Sequence, residues 1–225
     1  MIDTYLSPLW ISLATVFTAT VITFFTGIAA ARWMARYEGR MRGLVDGVLI
    51  LPLVLPPTVV GLGLLMLFGK NGPIGQALLL FGTTVVFSWP ATVITATVVS
   101  FPLMYMNARG AFEQVDASIE NAARTLGAGE WRTFWSVTLP LAWPGVAAGA
   151  VMAFARALGE FGATLMLAGY IPGKTATIPL AIYFAVQDGD MNQALVLVLI
   201  VLLIVFASLA ALAYFKGKNF RVISI

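Results

Sequence analysis

The 225 residues contain no cysteine and no histidine. Their absence removes disulfides, the usual zinc, haem and iron–sulfur ligands, and any imidazole proton relay. No metal site and no cofactor is expected. Charge is scarce too, since Asp, Glu, Lys and Arg make up only 10% of the chain, against about a quarter in soluble domains. With hydrophobic residues at 60%, a soluble fold could not hide the apolar surface. Alternating runs, which a β-barrel would need, are missing as well. What remains is an all-α integral membrane protein forming one domain over residues 1–225, with no internal repeat. The net charge of +3 is better explained by loops flanking membrane spans than by nucleic acid.

Spans follow from uncharged runs of about 20 residues, the length that crosses about 30 Å of hydrocarbon. The first runs from Pro8 through Ala31 and is read as retained, since its start carries Asp3 and no base, unlike a signal peptide. The second runs from Leu44 to Phe68 and is interrupted at Leu51-Pro52-Leu53-Val54-Leu55-Pro56-Pro57-Thr58. Such a break frees backbone carbonyls near mid-membrane, which is tolerated only against protein or a water-filled cavity. It reads either as a packed kink or as pathway lining, with Thr58, the first hydroxyl after it, as the pathway candidate. A short helix from Ile74 to Gly82 precedes the third span, Thr84 to Met106. The fourth begins at Leu139-Pro140 and contains the small-residue run Gly145 to Gly149. Ile178 to Val186 is too short to cross and should re-enter or lie flat, and the last span covers Ala194 to Phe215.

Ten bases then fall on one side (Arg32, Arg36, Arg40, Arg42, Arg109, Arg124, Arg132, Lys216, Lys218 and Arg221) and two on the other, Lys70 and Lys174. Basic loops stay in the cytoplasm, so five spans with the N-terminus outside and the C-terminus inside are expected. Arg156 and Glu160 are the only charges deep in an apolar segment; four residues apart, they can neutralise each other on one helical face. They read as a structural pair or as direct contacts to a transported anion. Gly159 and Gly162 beside them suggest a kink or gate near the outer mouth, which also holds Thr164. Gly169 to Thr175 imitates a phosphate loop but has three residues between its glycines, not four, and no preceding strand. With no other nucleotide site or nucleophile–base pair, the chain is not expected to be an enzyme by itself.

The charged stretch between the third and fourth spans is the exception in this chain. Glu120 to Thr125 followed by Gly127 reads as a short helix ended by a left-handed glycine, and Glu130 onward as a second helix ending at Pro140. Its spacing resembles the EAA loop of ABC importer permeases: Asn121-Ala122-Ala123, Gly127, Val137 and Leu139-Pro140 fall in register. Asn121 stands where the pattern has Glu, with Glu120 one residue early, and Val137 replaces Ile. The resemblance implies a coupling helix-turn-helix in which Glu120, Asn121, Ala122, Ala123, Arg124, Thr125, Leu126 and Gly127 dock on a separate ATPase.

Three further passages, Leu51 to Gly61, Ala123 to Gly129 and Phe154 to Thr164, are similar to the molybdate/sulfate branch of that family. Gly159-Glu160-Phe161-Gly162-Ala163-Thr164 looks closest to its molybdate members. The resemblance implies a homodimer lining the pathway, two ATP-binding subunits on the cytoplasmic side and an extracytoplasmic oxyanion-binding protein. Molybdate is the implied cargo, with tungstate as its chemical analogue and sulfate or thiosulfate as the alternative. An ion-coupled secondary carrier is a different class and would normally need acidic or histidine residues along an ion route, for which Glu160 alone stands.

Overall fold

The computed structural model describes residues 2–220, and side chains over 6–210. Eleven α-helices and one π-helical turn account for the regular structure, and no strand occurs among the described residues. Helices α1 (Ile2–Ala35), α5 (Trp89–Glu113) and α11 (Met191–Phe220) are long apolar rods. A fourth rod is composite, made of α7 (Glu130–Thr133), a π turn (Phe134–Thr138) and α8 (Leu139–Leu158). These four are long and apolar enough to cross a bilayer, and a bent pair brings the number to five. Lys216 and Lys218 lie beyond the described side chains and Arg221 beyond the described residues, so their share of the charge asymmetry has no structural counterpart here.

Helix α5 is the centre of the packing. The hydroxyls of Thr15 and Thr92 meet at 2.8 Å and those of Thr23 and Ser100 at 3.3 Å, both pairs separated by 77 residues. A constant offset means that α1 and α5 run parallel in fixed register. Gly27 keeps the same register, for a Cβ there would sit 2.6 Å from Met104 Cγ. On its other side α5 meets α8 antiparallel: a Cβ on Gly145 would lie 2.5 Å from Ala111 Cβ, and one on Gly149 2.9 Å from Asn107 Cβ. Without a hydrophobic drive between helices in lipid, such close approach and hydroxyl pairs are what hold rods together. Helix α11 closes the bundle through Val201, Ile204 and Val205 against Val16, Ala157 and Leu158.

The interrupted second span is two helices, α2 (Arg42–Val54) and α3 (Pro57–Phe68), bent by 110° at Leu55-Pro56. The cause is local: Pro56 and Pro57 have no N–H and clash with the preceding turn. Helix α4 (Pro73–Leu80) follows as the expected short piece. The third span starts later than Thr84 and continues past Met106, because Trp89-Pro90 opens α5 with Pro in its first turn and nothing stops the helix before Gln114. Arg109 and Glu113 therefore belong to this rod. Past the loop helix α6 (Ala117–Thr125), the rod from Glu130 does not end at Pro140 as the sequence suggested. The π turn, in which Leu139 N–H reaches Phe134 O, carries the helix through the proline.

The fourth span stops at Leu158 with Gly159 as its cap, so Glu160 is not on the helix of Arg156. Helix α9 (Gly162–Ala168) starts beyond it, and α10 (Ile178–Gln187) is the short apolar segment, buried against α1 and α11 through Ile178 and Ala181.

Candidate functional site

Asp116 caps α6 by accepting from Ser118 N–H at 2.8 Å, which holds its carboxyl below the usual carboxylate range. At the other end Gly127 adopts φ +87°, with Gly127 N–H on Arg124 O and Ala128 N–H on Ala123 O at 2.9 and 3.0 Å. This six-to-one closure needs a residue that tolerates left-handed backbone, the role the sequence assigned to Gly127. No atom lies within 4 Å of a Cβ built there, so the demand is conformational and the space beside Gly127 is open. Leu126, next to it, is 88% exposed. Asn121, Ala122 and Thr125 are exposed as well. Leu126 and Gly127 thus form an exposed tip on a short, closed turn.

Glu120, one residue from Asn121, points the other way, into the protein. Its side chain is 14% exposed and takes Arg32 at 3.4 Å, Arg36 at 3.3 Å and Arg124 at 3.0 Å, with Thr138 of the π turn donating to its second side. Burial pushes this carboxyl up, but the hydrogen bonds from Thr138 and Arg124 and the charges of Arg32 and Arg36 outweigh it, and it lies below its ordinary value. Exposed Glu130 pairs with Arg124 at 2.6 Å and with Arg36. Those hydrogen bonds pull it down to about 2. Four segments thus meet at one carboxylate: the end of α1, α6, the π turn and, through Arg124 and Glu130, α7. Arg32, Arg36, Glu130 and Thr138 were not anticipated as partners. The Glu120–Arg124 spacing was the one local signal, whereas the contacts from α1 cross more than 80 residues.

A second network ties α2 to the same end of α5. Tyr105 Oη donates to Asp46 at 2.7 Å, Arg109 pairs with Asp46 and, at 2.9 Å, with Glu113, and Arg42 reaches Glu113 at 2.8 Å.

Toward the opposite end, Arg156 Nη1 meets Glu160 Oε2 at 2.9 Å. Glu160 is only 3% exposed, and its other oxygen accepts Ala163 N–H at 2.8 Å. The carboxylate therefore joins the two pieces of a broken rod, neutralised by the end of α8 and capping the start of α9. Thr164 is buried with its hydroxyl 2.9 Å from that of Thr95. A Cβ on Gly162 would lie 3.0 Å from Pro57 Cβ and 3.6 Å from Thr58 N. The two irregular stretches marked in the sequence, around Pro56 and around Gly159, thus abut, gathering Thr58, Arg156, Glu160 and Thr164 in one region. Of these Thr58 is exposed.

The phosphate-loop imitation is closed on itself: Ile171 N–H donates to Thr175 Oγ1, which donates to Gly169 O, both at 3.0 Å. Among the described residues no group of three or more acidic, His or Cys side chains is arranged to hold a metal ion.

Residues 23–218 match the family described as binding-protein-dependent transport system inner membrane component. The molybdenum transport system permease protein ModB of Escherichia coli (strain K12) is 51% identical over 171 residues, 75% of each chain. A probable sulfate transport system permease protein, cysT, of Chlorella vulgaris is 34% identical over 206 residues, 92% of this chain and 77% of its own. Among solved structures, a chain of the MetNI methionine ABC transporter in an inward-facing conformation superposes with a TM-score of 0.74 over 97% of both chains at 16% identity. That likeness shows the fold.

Proposed function

Since the chain belongs to the binding-protein-dependent transport system inner membrane component family, we propose that it is the membrane-spanning subunit of an ATP-driven importer of molybdate. The greater identity to a molybdenum permease than to a sulfate permease favours that cargo, and tungstate, its analogue, should share the route. A separate ATPase binds the loop, which faces the cytoplasm with the C-terminus, while the N-terminus lies outside. An extracytoplasmic protein delivers the oxyanion.

The observation that carries this reading is the Glu120 junction below an outward-facing tip. Asn121, Leu126 and Gly127 present the docking surface, and Glu120 fixes that surface to α1 and to the rod that becomes α8. A pull on the tip is therefore delivered to two spans together. Because α8 ends at the Arg156–Glu160 joint, tilting it moves the region where the two breaks abut. ATP closing the ATPase pair would draw the loops together and open the pathway outward; hydrolysis would reset it.

A second copy of the chain is part of the proposal. No residue of α2 is buried, and Pro52, Pro56 and Pro57 leave the carbonyls of Val48, Pro52 and Leu53 without the N–H that a continuous helix supplies. Lipid cannot satisfy those groups. A water-filled pathway between two copies, lined by the α2–α3 break and Thr58, can. Few charged contacts to the ion are needed there, since binding selectivity resides in the delivering protein.

Replacing Gly127 with Trp tests the docking: the protein should reach the membrane in normal amount and lose co-purification with the ATPase subunit. Retained co-purification with normal molybdate uptake would overturn it. In the reconstituted importer, uptake of labelled molybdate should be competed by tungstate far better than by sulfate; the reverse order would reassign the cargo.

A further inference from the structure

A groove of ≈ 600 Å³ runs along the outside of the bundle between α1 and the π turn and start of α8. Its deep end is lined by Phe24 and Phe25 of α1 and Trp143 of α8, and its loop end by Trp131 and Trp135, with Arg36 at the mouth. From Phe24 to Arg36 it follows the helical rise for about 18 Å, close to the depth of one leaflet, about 15 Å of hydrocarbon. Phe25 is 64% and Trp131 75% exposed, and the indoles of Trp131 and Trp135 pack edge to face at 5.6 Å. Tryptophan is favoured at the level where hydrocarbon gives way to headgroups. Three guanidiniums in the adjoining cluster, Arg32, Arg36 and Arg124, face two carboxylates, Glu120 and Glu130. One positive charge is left over in this cluster, of which Arg32, Arg36 and Glu130 line the groove.

We propose that this groove seats an acyl chain of an anionic phospholipid from the leaflet bordering the loop, with its phosphate at Arg36. The match is in length, in apolar lining and in charge at the correct end. A zwitterionic lipid brings no net charge to the surplus cation. The seat also adjoins Arg36, which joins α1 to both loop carboxylates, so an occupied groove braces the junction through which the tip is coupled to the spans. The proposal rests on the family reading for bilayer placement and is independent of the cargo.

The test uses the complete importer in nanodiscs of phosphatidylcholine and phosphatidylglycerol, one of the two brominated on its acyl chains, with tryptophan fluorescence as the readout. Brominated phosphatidylglycerol should quench Trp135 and Trp143 with a preference of about fivefold over brominated phosphatidylcholine, the factor for one cationic side chain at a charged surface. Ala29→Phe, which fills the groove wall without touching the ion pairs, should abolish the preference and leave ATPase co-purification intact. Equal quenching by both lipids would overturn the charge assignment. Quenching that Trp143→Phe and Trp135→Phe leave unchanged would place the lipid outside the groove, which overturns the proposal. These wild-type and tryptophan-variant measurements decide the matter even where Ala29→Phe does not assemble. Failure of molybdate uptake with lipid preference intact would count against the transport reading alone.

Discussion

Two carboxylates organise this protein in opposite ways. Glu120 sits at the edge of the membrane-spanning bundle with three guanidiniums and a hydroxyl around it. Glu160 sits among apolar helices with one guanidinium and one backbone N–H. The first is redundant and partly in reach of water, so any one partner can be lost. The second has no reserve, and a buried charge without its counter-ion is costly. Redundancy lets the first centre survive the loss of a contact, whereas the second depends on each of its two partners.

The comparison is broken most directly at Arg156. Arg156→Ala should destabilise the detergent-solubilised protein by about 3 kcal/mol, toward the low end for a buried pair because the Arg156 guanidinium is itself partly exposed. Thermal unfolding would read this as a large drop in midpoint. Arg156→Met with Glu160→Gln should recover much of it, since the amide oxygen can still cap Ala163. If Arg156→Ala unfolds like the parent, Glu160 is hydrated and the joint has been misread.

Arg36→Ala, by contrast, should cost no more than about 1 kcal/mol, because Glu120 keeps Arg32, Arg124 and Thr138. Loss of stability matching that of Arg156→Ala would erase the distinction between the two centres.

The smallest effect is that of acid. Glu120 and Glu130 both have folded values below the ordinary 4.5. Their contribution is complete above that value and is lost as pH falls through the folded one, about 2 for Glu130. Protease sensitivity of the loop should stay flat from neutral pH to about 4.5 and rise only below it. A rise at milder acidity would show that these carboxylates are not held by their arginines.

Much of this was legible in the chain, and for identifiable reasons. Spans are written in uncharged length, and Gly127 is local chemistry, a turn that only a residue at ease with positive φ can close. The bend at Pro56 is likewise a property of adjacent residues. The inward turn of Glu120 was not legible, because three of its partners arrive from α1 and the π turn, and nothing near position 120 announces them. The end of the helix from Glu130 at Pro140 was misjudged for a related reason. Proline stops an ordinary helix interior, but a preceding π turn carries the rod through it. The Arg156–Glu160 pairing was foreseen as neighbours on one helix, yet Gly159 ends that helix and the contact is made across the break.

The parallel register of α1 and α5 also bears on how the molecule is made. The partners of Thr15 and Thr23 lie 77 residues downstream, so at ordinary ribosome speeds they emerge on the order of 4 to 15 s later. During that interval α1 lacks the hydroxyl partners it has in the folded bundle, and its hydroxyls can turn back on their own backbone as Thr26 does on Ile22 O. The close α1–α5 contacts form only when translation delivers α5.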